Sequence, residues 1–432
     1  MTAPLVMFAS LFGLLFVGVP IGFSLLVVGT AGFAMTSAIG PALAMAGQVT
    51  VDSVLSYNFS VLPLFVLMGN LFSLSRMADE LYSASNAFLG HRRGGLAMAT
   101  ILACGGFSAV SGSSVACCVT MTKISVPTMR RYGYAPGFAC GTVAAGATLD
   151  ILIPPSIAMV LYALMTDTNL GALMVAGLVP GAITIALYLV AISVVTWLRP
   201  DLAPVAGARQ PWLQRLRSLR DIWPMVLLFG LVVGGIYFGV CTPTEGAGLG
   251  AIGALAIAGL RGRLSWPALR AVLVDTVETT TQLFVVLLGA IVFANYVTVS
   301  GTTQAFDAWI GSLQLGPTAL ILLILALYVV IGCALEANSM MVLTVPIFFP
   351  VVSAAGFDPV WFGIFVVVVS QIGLVHPPMG LLLFAVKAQV PDVRISSIFF
   401  GVLPYLVADA LRVALFIAFP ALVLWLPRTM GS

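Results

Sequence analysis

Gly146-Ala147-Thr148-Leu149-Asp150-Ile151-Leu152-Ile153-Pro154-Pro155-Ser156 is an apolar run that carries a carboxylate and two consecutive prolines. A second proline pair lies within Gly373-Leu374-Val375-His376-Pro377-Pro378-Met379. Proline lacks a backbone donor and its ring clashes with the preceding turn, so each pair interrupts a helix and frees carbonyls. At membrane depth, such interruptions are where ions and substrates bind in transporters.

The rest of the chain supports a membrane setting. With 61% hydrophobic and 8% charged residues and a mean hydropathy of +1.13, most of it could not face water. The class expected is an all-α polytopic membrane protein. Apolar sequence begins at Pro4 with no basic leader or small-residue cleavage site, which reads as a first membrane helix and not a removed signal peptide. Cys104, Cys117, Cys118, Cys140, Cys241 and Cys333 form no CxxC pair and read as inert buried thiols. With only His91 and His376, a haem or transition-metal centre is not expected. No phosphate-cradling loop or nucleic-acid patch is present.

In order, the pattern predicts a long first helix over 4–35, bent at Pro20, then a loop from Gly40-Pro41 to Asp52 and a second span over 54–75, ending at Arg76. The segment 95–127 is apolar but interrupted at Gly105 to Ser114, and basic pairs flank it on both sides, Arg92-Arg93 and Arg130-Arg131. A single crossing would misplace one pair, so a re-entrant hairpin from the cytoplasm is expected. A broken helix from Pro136 and a return span over 171–197 follow, then a basic loop over 199–221. Spans are expected over 222–241 and 245–260, an amphipathic interfacial helix from Trp266 to Glu278, and a span over 279–299. From Thr302 to Val360 there is no lysine or arginine, and the apolar segment 317–352 is interrupted near Gly332 to Ser339, a second hairpin, now from outside. A second broken helix and a last stretch over 397–427 complete the chain. This threading puts every basic residue except Arg412 and Arg428 on the cytoplasmic side.

Self-comparison supports the scheme independently. Pro127, Gly133, Pro136 and Pro154-Pro155 recur as Pro350, Gly356, Pro359 and Pro377-Pro378, all at the offset from 154 to 377. Gly177-Leu178-Val179-Pro180 recurs one residue later as Gly401-Val402-Leu403-Pro404. The two copies enter from opposite sides, so the repeat is inverted, as in many secondary transporters. The organisation expected is N-terminal scaffold helices over 1–94, a first repeat over 95–198, a loop with scaffold and interfacial helices over 199–316, and a second repeat over 317–427.

Each hairpin tip should lie beside its own broken helix. In the first copy this gathers the hydroxyls of Ser108, Ser111, Ser113 and Ser114 with carbonyls near Asp150, Ile153 and Pro155, oxygens suited to an exchangeable Na⁺. In the second it gathers carbonyls near Gly332, Gly373 and Met379 with Glu336, Asn338, Ser339 and His376. Half-helix N-termini aimed at the centre favour an anionic substrate. Asp150 reads equally as an ion or proton group and as a helix cap, and Glu336 as a ligand or an N-cap. His376 reads as a packing residue before a pH sensor. Asp409 and Arg412 share a helix face and read as a structural ion pair.

At these residues the chain resembles the large membrane subunit, DctM type, of tripartite ATP-independent periplasmic (TRAP) transporters. The resemblance covers nearly the whole chain. It rests on Gly112-Ser113-Ser114-Val115-Ala116, Arg131-Tyr132-Gly133-Tyr134, Ile151 to Ser156, Ala176-Gly177-Leu178-Val179-Pro180-Gly181, Pro243-Thr244-Glu245-Gly246 and Ile372-Gly373-Leu374 with Pro377-Pro378. It implies an inner-membrane translocation subunit that imports an organic acid, such as a C4-dicarboxylate or sialic acid, driven by Na⁺. It further implies a small four-helix membrane partner, a periplasmic substrate-binding protein and elevator movement of the hairpins against a scaffold. One Na⁺ site would use Ser108, Ser111, Asp150, Ile153 and Pro155, and a second Gly332, Gly373, His376 and Met379. Substrate would meet Ser113, Ser114, Pro154, Glu336, Asn338, Ser339 and Pro377. Two positions depart from the family pattern: Asp150 stands where glycine is expected and His376 where a small hydroxyl residue is expected. A stand-alone Na⁺/dicarboxylate symporter is the alternative, and an intramembrane aspartyl hydrolase built on Asp150 and Asp409 a remote one; no enzymatic role is expected.

Overall fold

A computed structural model describes residues 2–75, 77–205, 209–312, 316–332, 335–377 and 380–430, and every regular element among them is helical. Seven of the described helices are long and apolar enough to cross a membrane. Arg76, Cys333, Pro378 and Met379, named above, lie outside the described residues.

The N-terminal region differs from the sequence expectation. The first apolar stretch is two helices, α1 (Thr2–Phe16) and α2 (Ile21–Thr36). Gly18 between them takes a left-handed φ of +90, open to glycine without strain, and Pro20 cannot continue a helix from behind. The expected loop over 40–52 is a helix, α3 (Ile39–Leu55). Pro41 falls in its first turn, where no intrahelical donor is needed, and Gln48 donates to Asp52 at 2.8 Å on its exposed face. The segments α4 (Val61–Leu74) and α5 (Met77–Leu89) follow.

The first repeat is α6 (Gly95–Ser111), α7 (Ser114–Arg131), α8 (Pro136–Ala147), α9 (Ile157–Thr166) and α10 (Leu170–Leu198). The helix runs through Gly105-Gly106, so the interruption is narrower than the sequence implied: the turn is Gly112-Ser113, with Gly112 at φ +65. Between α8 and α9 a 3-10 turn over Thr148–Ile151 leads into the proline pair. The 12 residues of α8 and 10 of α9 rise about 18 and 15 Å, each roughly half of the ~30 Å hydrocarbon core.

The connecting region holds α11 (Trp212–Tyr237), α12 (Pro243–Leu260), α13 (Trp266–Val299) and α14 (Thr302–Ser312). Here too the expectation is corrected. The first turns of α11 extend into the basic loop, and the interfacial segment and following span are one unbroken helix of 34 residues. Nothing in Trp266–Val299 stops a helix once Pro267 is spent in its first turn, where proline is tolerated. The second repeat is α15 (Pro317–Gly332), α16 (Ala337–Ala354), α17 (Pro359–Val375), α18 (Leu381–Gln389) and α19 (Ile395–Ala418), and the last stretch ends in a separate α20 (Ala421–Arg428).

The two repeats interlock reciprocally: α8 of the first packs on α19 of the second, and α17 of the second on α10 of the first. Small residues allow the approach. A Cβ on Gly137 would strike the backbone of Ser397, and one on Gly141 the backbone of Gly401. Outside them, α2 lies along α13 through Gly22 and Gly29, the small-residue packing of membrane helices.

Candidate functional site

Both hairpin tips meet their breaks. At the end of α6, Ser111 Oγ donates to Asp150 Oδ1 at 2.7 Å, and Asp150 is 2% exposed. One turn earlier Ser108 is fully buried and its Oγ has no partner among the described residues. An unpaired buried hydroxyl is costly, about 1–3 kcal/mol, so this oxygen sits where a ligand would relieve it. The freed carbonyl of Ile151 accepts from Ser156 Oγ at 2.5 Å, and Ser156 also caps α9 through the amide of Met159. Ile153 packs its side chain against Gly181 of α10, and Pro154 and Pro155 are buried.

The second tip closes on the second break through two glycines. A Cβ on Gly373 would stand 2.9 Å from both the Cα and the carbonyl oxygen of Gly332, and one on Gly332 would stand 3.1 Å from the Cα of Gly373. Glu336 caps α16: its Oε2 accepts from the amides of Asn338 and Ser339 at 3.1 and 3.2 Å, and its Oε1 from Asn338 Nδ2 at 3.1 Å. Of the two readings open for Glu336, the geometry displays the N-cap. The polar groups of Asn338 and Ser339 are thereby turned toward that carboxylate.

Between the tips lies a cavity of about 370 Å³. Ser113, Ser114 and Asp150 line it from the first repeat, and Glu336, Asn338 and Ser339 from the second. Residues of the first turns of α7, α9, α16 and α18 all face it: Ser114, Ile157, Asn338 and Leu381. Four helix N-termini therefore converge on one space, and the positive ends of their dipoles favour an anion there. Among the described residues no lysine, arginine or histidine lines it, and its two acidic side chains are those of Asp150 and Glu336. The remaining wall is α13, through Thr279, Gln282, Leu283 and Val286.

Thr279, Gln282 and Ser156 escaped the sequence reading. The polar run Glu278-Thr279-Thr280-Thr281-Gln282 inside an apolar helix was the available signal for the first two, and an N-cap serine directly after the proline pair was the signal for the third. Ser108, Ser111, Ile153, Pro154, Pro155, Gly332, Gly373 and Pro377 are not among the residues that line the cavity. His376 faces a different, largely apolar cavity, with Leu322, Ile372 and Leu406.

Behind the breaks a buried charge pair ties the repeats together. Arg412 and Asp409 on α19 are both 0% exposed and 2.9 Å apart, the structural ion pair expected from their spacing. Tyr188 of α10 donates to Asp409 at 2.8 Å, and its hydroxyl lies 3.4 Å from Thr148 beside the first break. Arg412 donates to Gln371 of α17 at 2.6 Å and to Thr184 of α10 at 3.1 Å. Gln371 is two residues before Gly373, so one network reaches both breaks.

A family model described as "Tripartite ATP-independent periplasmic transporter, DctM component" matches residues 8–422. The chain is 34% identical to the C4-dicarboxylate TRAP transporter large permease protein DctM of Pseudomonas aeruginosa, over 87% of each chain. It is 32% identical to the sialic acid TRAP transporter large permease protein SiaM of Vibrio cholerae, over 96% of each. Among solved structures, the YdaH transporter of Alcanivorax borkumensis shares the fold, with a TM-score of 0.65 and 17% identity over 89% of this chain and 90% of that one.

Proposed function

The chain belongs to the DctM-component family of TRAP transporters as a large permease subunit, and from that premise we propose that it imports an organic acid across the bacterial inner membrane by Na⁺ symport. The observation that carries this reading is the convergence of four helix N-termini and both tips on one cavity that has two carboxylates and, among the described residues, no basic side chain. An anion entering such a space is attracted by the helix ends but repelled by Asp150 and Glu336. Bound cations remove the repulsion, which makes anion and Na⁺ binding mutually favourable. The first Na⁺ would lie at Ser108, Ser111, Asp150, Ile153 and Pro155, where Ser108 offers an unpaired oxygen. The second would lie at Gly332 and Gly373, with His376 and Met379. The carboxylate of the substrate would meet the ends of α7, α9, α16 and α18.

A small membrane subunit and a periplasmic binding protein complete the transporter, the latter selecting the substrate. The repeats at 95–198 and 317–427 form the moving body, re-entrant at both tips, and α13 belongs to the scaffold they slide against. Reconstitution in vesicles tests this. Uptake of the binding protein's ligand should require the inward Na⁺ gradient, the small subunit and the binding protein together. Uptake by this chain without a binding protein would instead identify a stand-alone symporter.

A further inference from the structure

Arg215 lies far from the breaks, near the start of α11, and is 3% exposed. Its guanidinium stands 5.1 Å from the ring centre of Trp212 and 5.9 Å from that of Phe88. Aromatic rings cover the faces of a guanidinium, whereas its N–H groups point outward in its plane. Nε and Nη2 have no acceptor among the described residues, and Arg215 takes part in none of the ion pairs there. A buried cation with idle donors is incomplete without an anion.

The surroundings are positive as well. Arg209 stands 5.8 Å from the same Trp212 ring. The imidazole of His91 is held below its usual range by burial, then by the charges of Arg215, Arg209 and Arg92. His91 Nδ1 also lacks a partner. The N-terminus of the 26-residue α11 opens at Trp212 and adds free amides and a positive dipole end. Beside this cluster, Trp212, Leu213 and Leu216 are 63%, 62% and 59% exposed, the composition of a segment seated at a membrane interface.

We propose that Arg215 and Arg209, with the N-terminus of α11, bind a phosphate-class oxyanion, supplied by an anionic phospholipid headgroup of the cytoplasmic leaflet or by free phosphate. Nε and Nη2 are spaced to hold two oxygens of one phosphate side by side. The exposed Trp212, Leu213 and Leu216 then lie against acyl chains, and clusters of basic residues on the cytoplasmic side recognise acidic headgroups.

The test uses the full chain purified in neutral detergent and follows its thermal melting with added phosphatidylglycerol, phosphatidylcholine or inorganic phosphate. Phosphatidylglycerol should raise the melting temperature and phosphatidylcholine should not. The exposed-residue variant Arg209→Gln should need roughly fivefold more phosphatidylglycerol for the same shift, and Arg215→Gln should lose the shift. A shift with phosphatidylglycerol alone identifies the lipid as the source; an equal shift with inorganic phosphate identifies the free ion. The proposal is overturned if neither anion shifts the wild type, or if Arg209→Gln, which leaves the buried position intact, responds as the wild type does.

Discussion

Ser111 and Asp150, 39 residues apart in sequence, share a 2.7 Å hydrogen bond that fastens the end of α6 to the turn after α8. A hairpin tip and a broken helix thus meet through a hydroxyl and a buried carboxylate. Ser111 gives its only proton to Asp150 and accepts from the Ser113 amide at 3.4 Å, which leaves one lone pair of its oxygen for a cation.

The contact of Gly332 with Gly373 leaves no room for a side chain. Gly373→Ala should destabilise by about 1–3 kcal/mol through overpacking and sharply reduce uptake. Gly230→Ala, with nothing within 4 Å of the new Cβ, should leave uptake unchanged and, by taking a glycine out of the interior of α11, cost no stability and gain up to about 1 kcal/mol. Melting temperature and vesicle uptake measured on both variants check the pair.

The ion pair of Asp409 and Arg412 should show the asymmetry of buried charges. Arg412→Ala leaves a buried carboxylate facing Tyr188 alone and should cost about 3–5 kcal/mol. Replacing both by apolar residues of similar volume should cost less. If the double variant melts below the single one, the pair is worth more than its desolvation.

Glu336 acts on α16 as a cap, which a neutral amide can imitate. Glu336→Ala should destabilise by about 1 kcal/mol, while Glu336→Gln should retain most stability and, with one of the two repelling carboxylates gone, show a weaker dependence of uptake on Na⁺. An unchanged Na⁺ dependence in Glu336→Gln would show that Glu336 acts as a cap alone.

His91 gives a pH signature. Its imidazole is held below the usual range by burial and by Arg215, Arg209 and Arg92. The unfolded chain therefore takes up this proton at a higher pH than the folded one, so stability is full above about 6.5 and is lost as pH falls through the lowered value. His91→Asn should flatten the melting temperature across that acidic range.

Much of this architecture was legible because proline pairs and glycine turns are local signals. Pro154-Pro155 and Pro377-Pro378 announced both breaks, and their shared offset exposed the repeat. The split at Gly18 to Pro20 was hidden because both flanks are equally apolar, so periodicity gave no boundary. Helix α3 was hidden because Gly40, Pro41 and Asp52 read as loop residues, yet each occupies an end or exposed face where helices accept it. The site was half legible. Tips and breaks could be paired from symmetry, but the wall from α13 depends on packing between distant segments, and the aim of His376 depends on a backbone turn that no residue pattern specifies.

The central claim is that Asp150 and Ser111 hold the coupling ion at the meeting of tip and break. Its most direct test is the Na⁺ dependence of uptake by the wild type, Asp150→Asn and Ser111→Ala, reconstituted with the partner subunit and binding protein. The account predicts that both variants need roughly tenfold or more Na⁺ for half-maximal uptake, the loss of about 1.4 kcal/mol of ion binding or more. Unchanged Na⁺ dependence in both would contradict it.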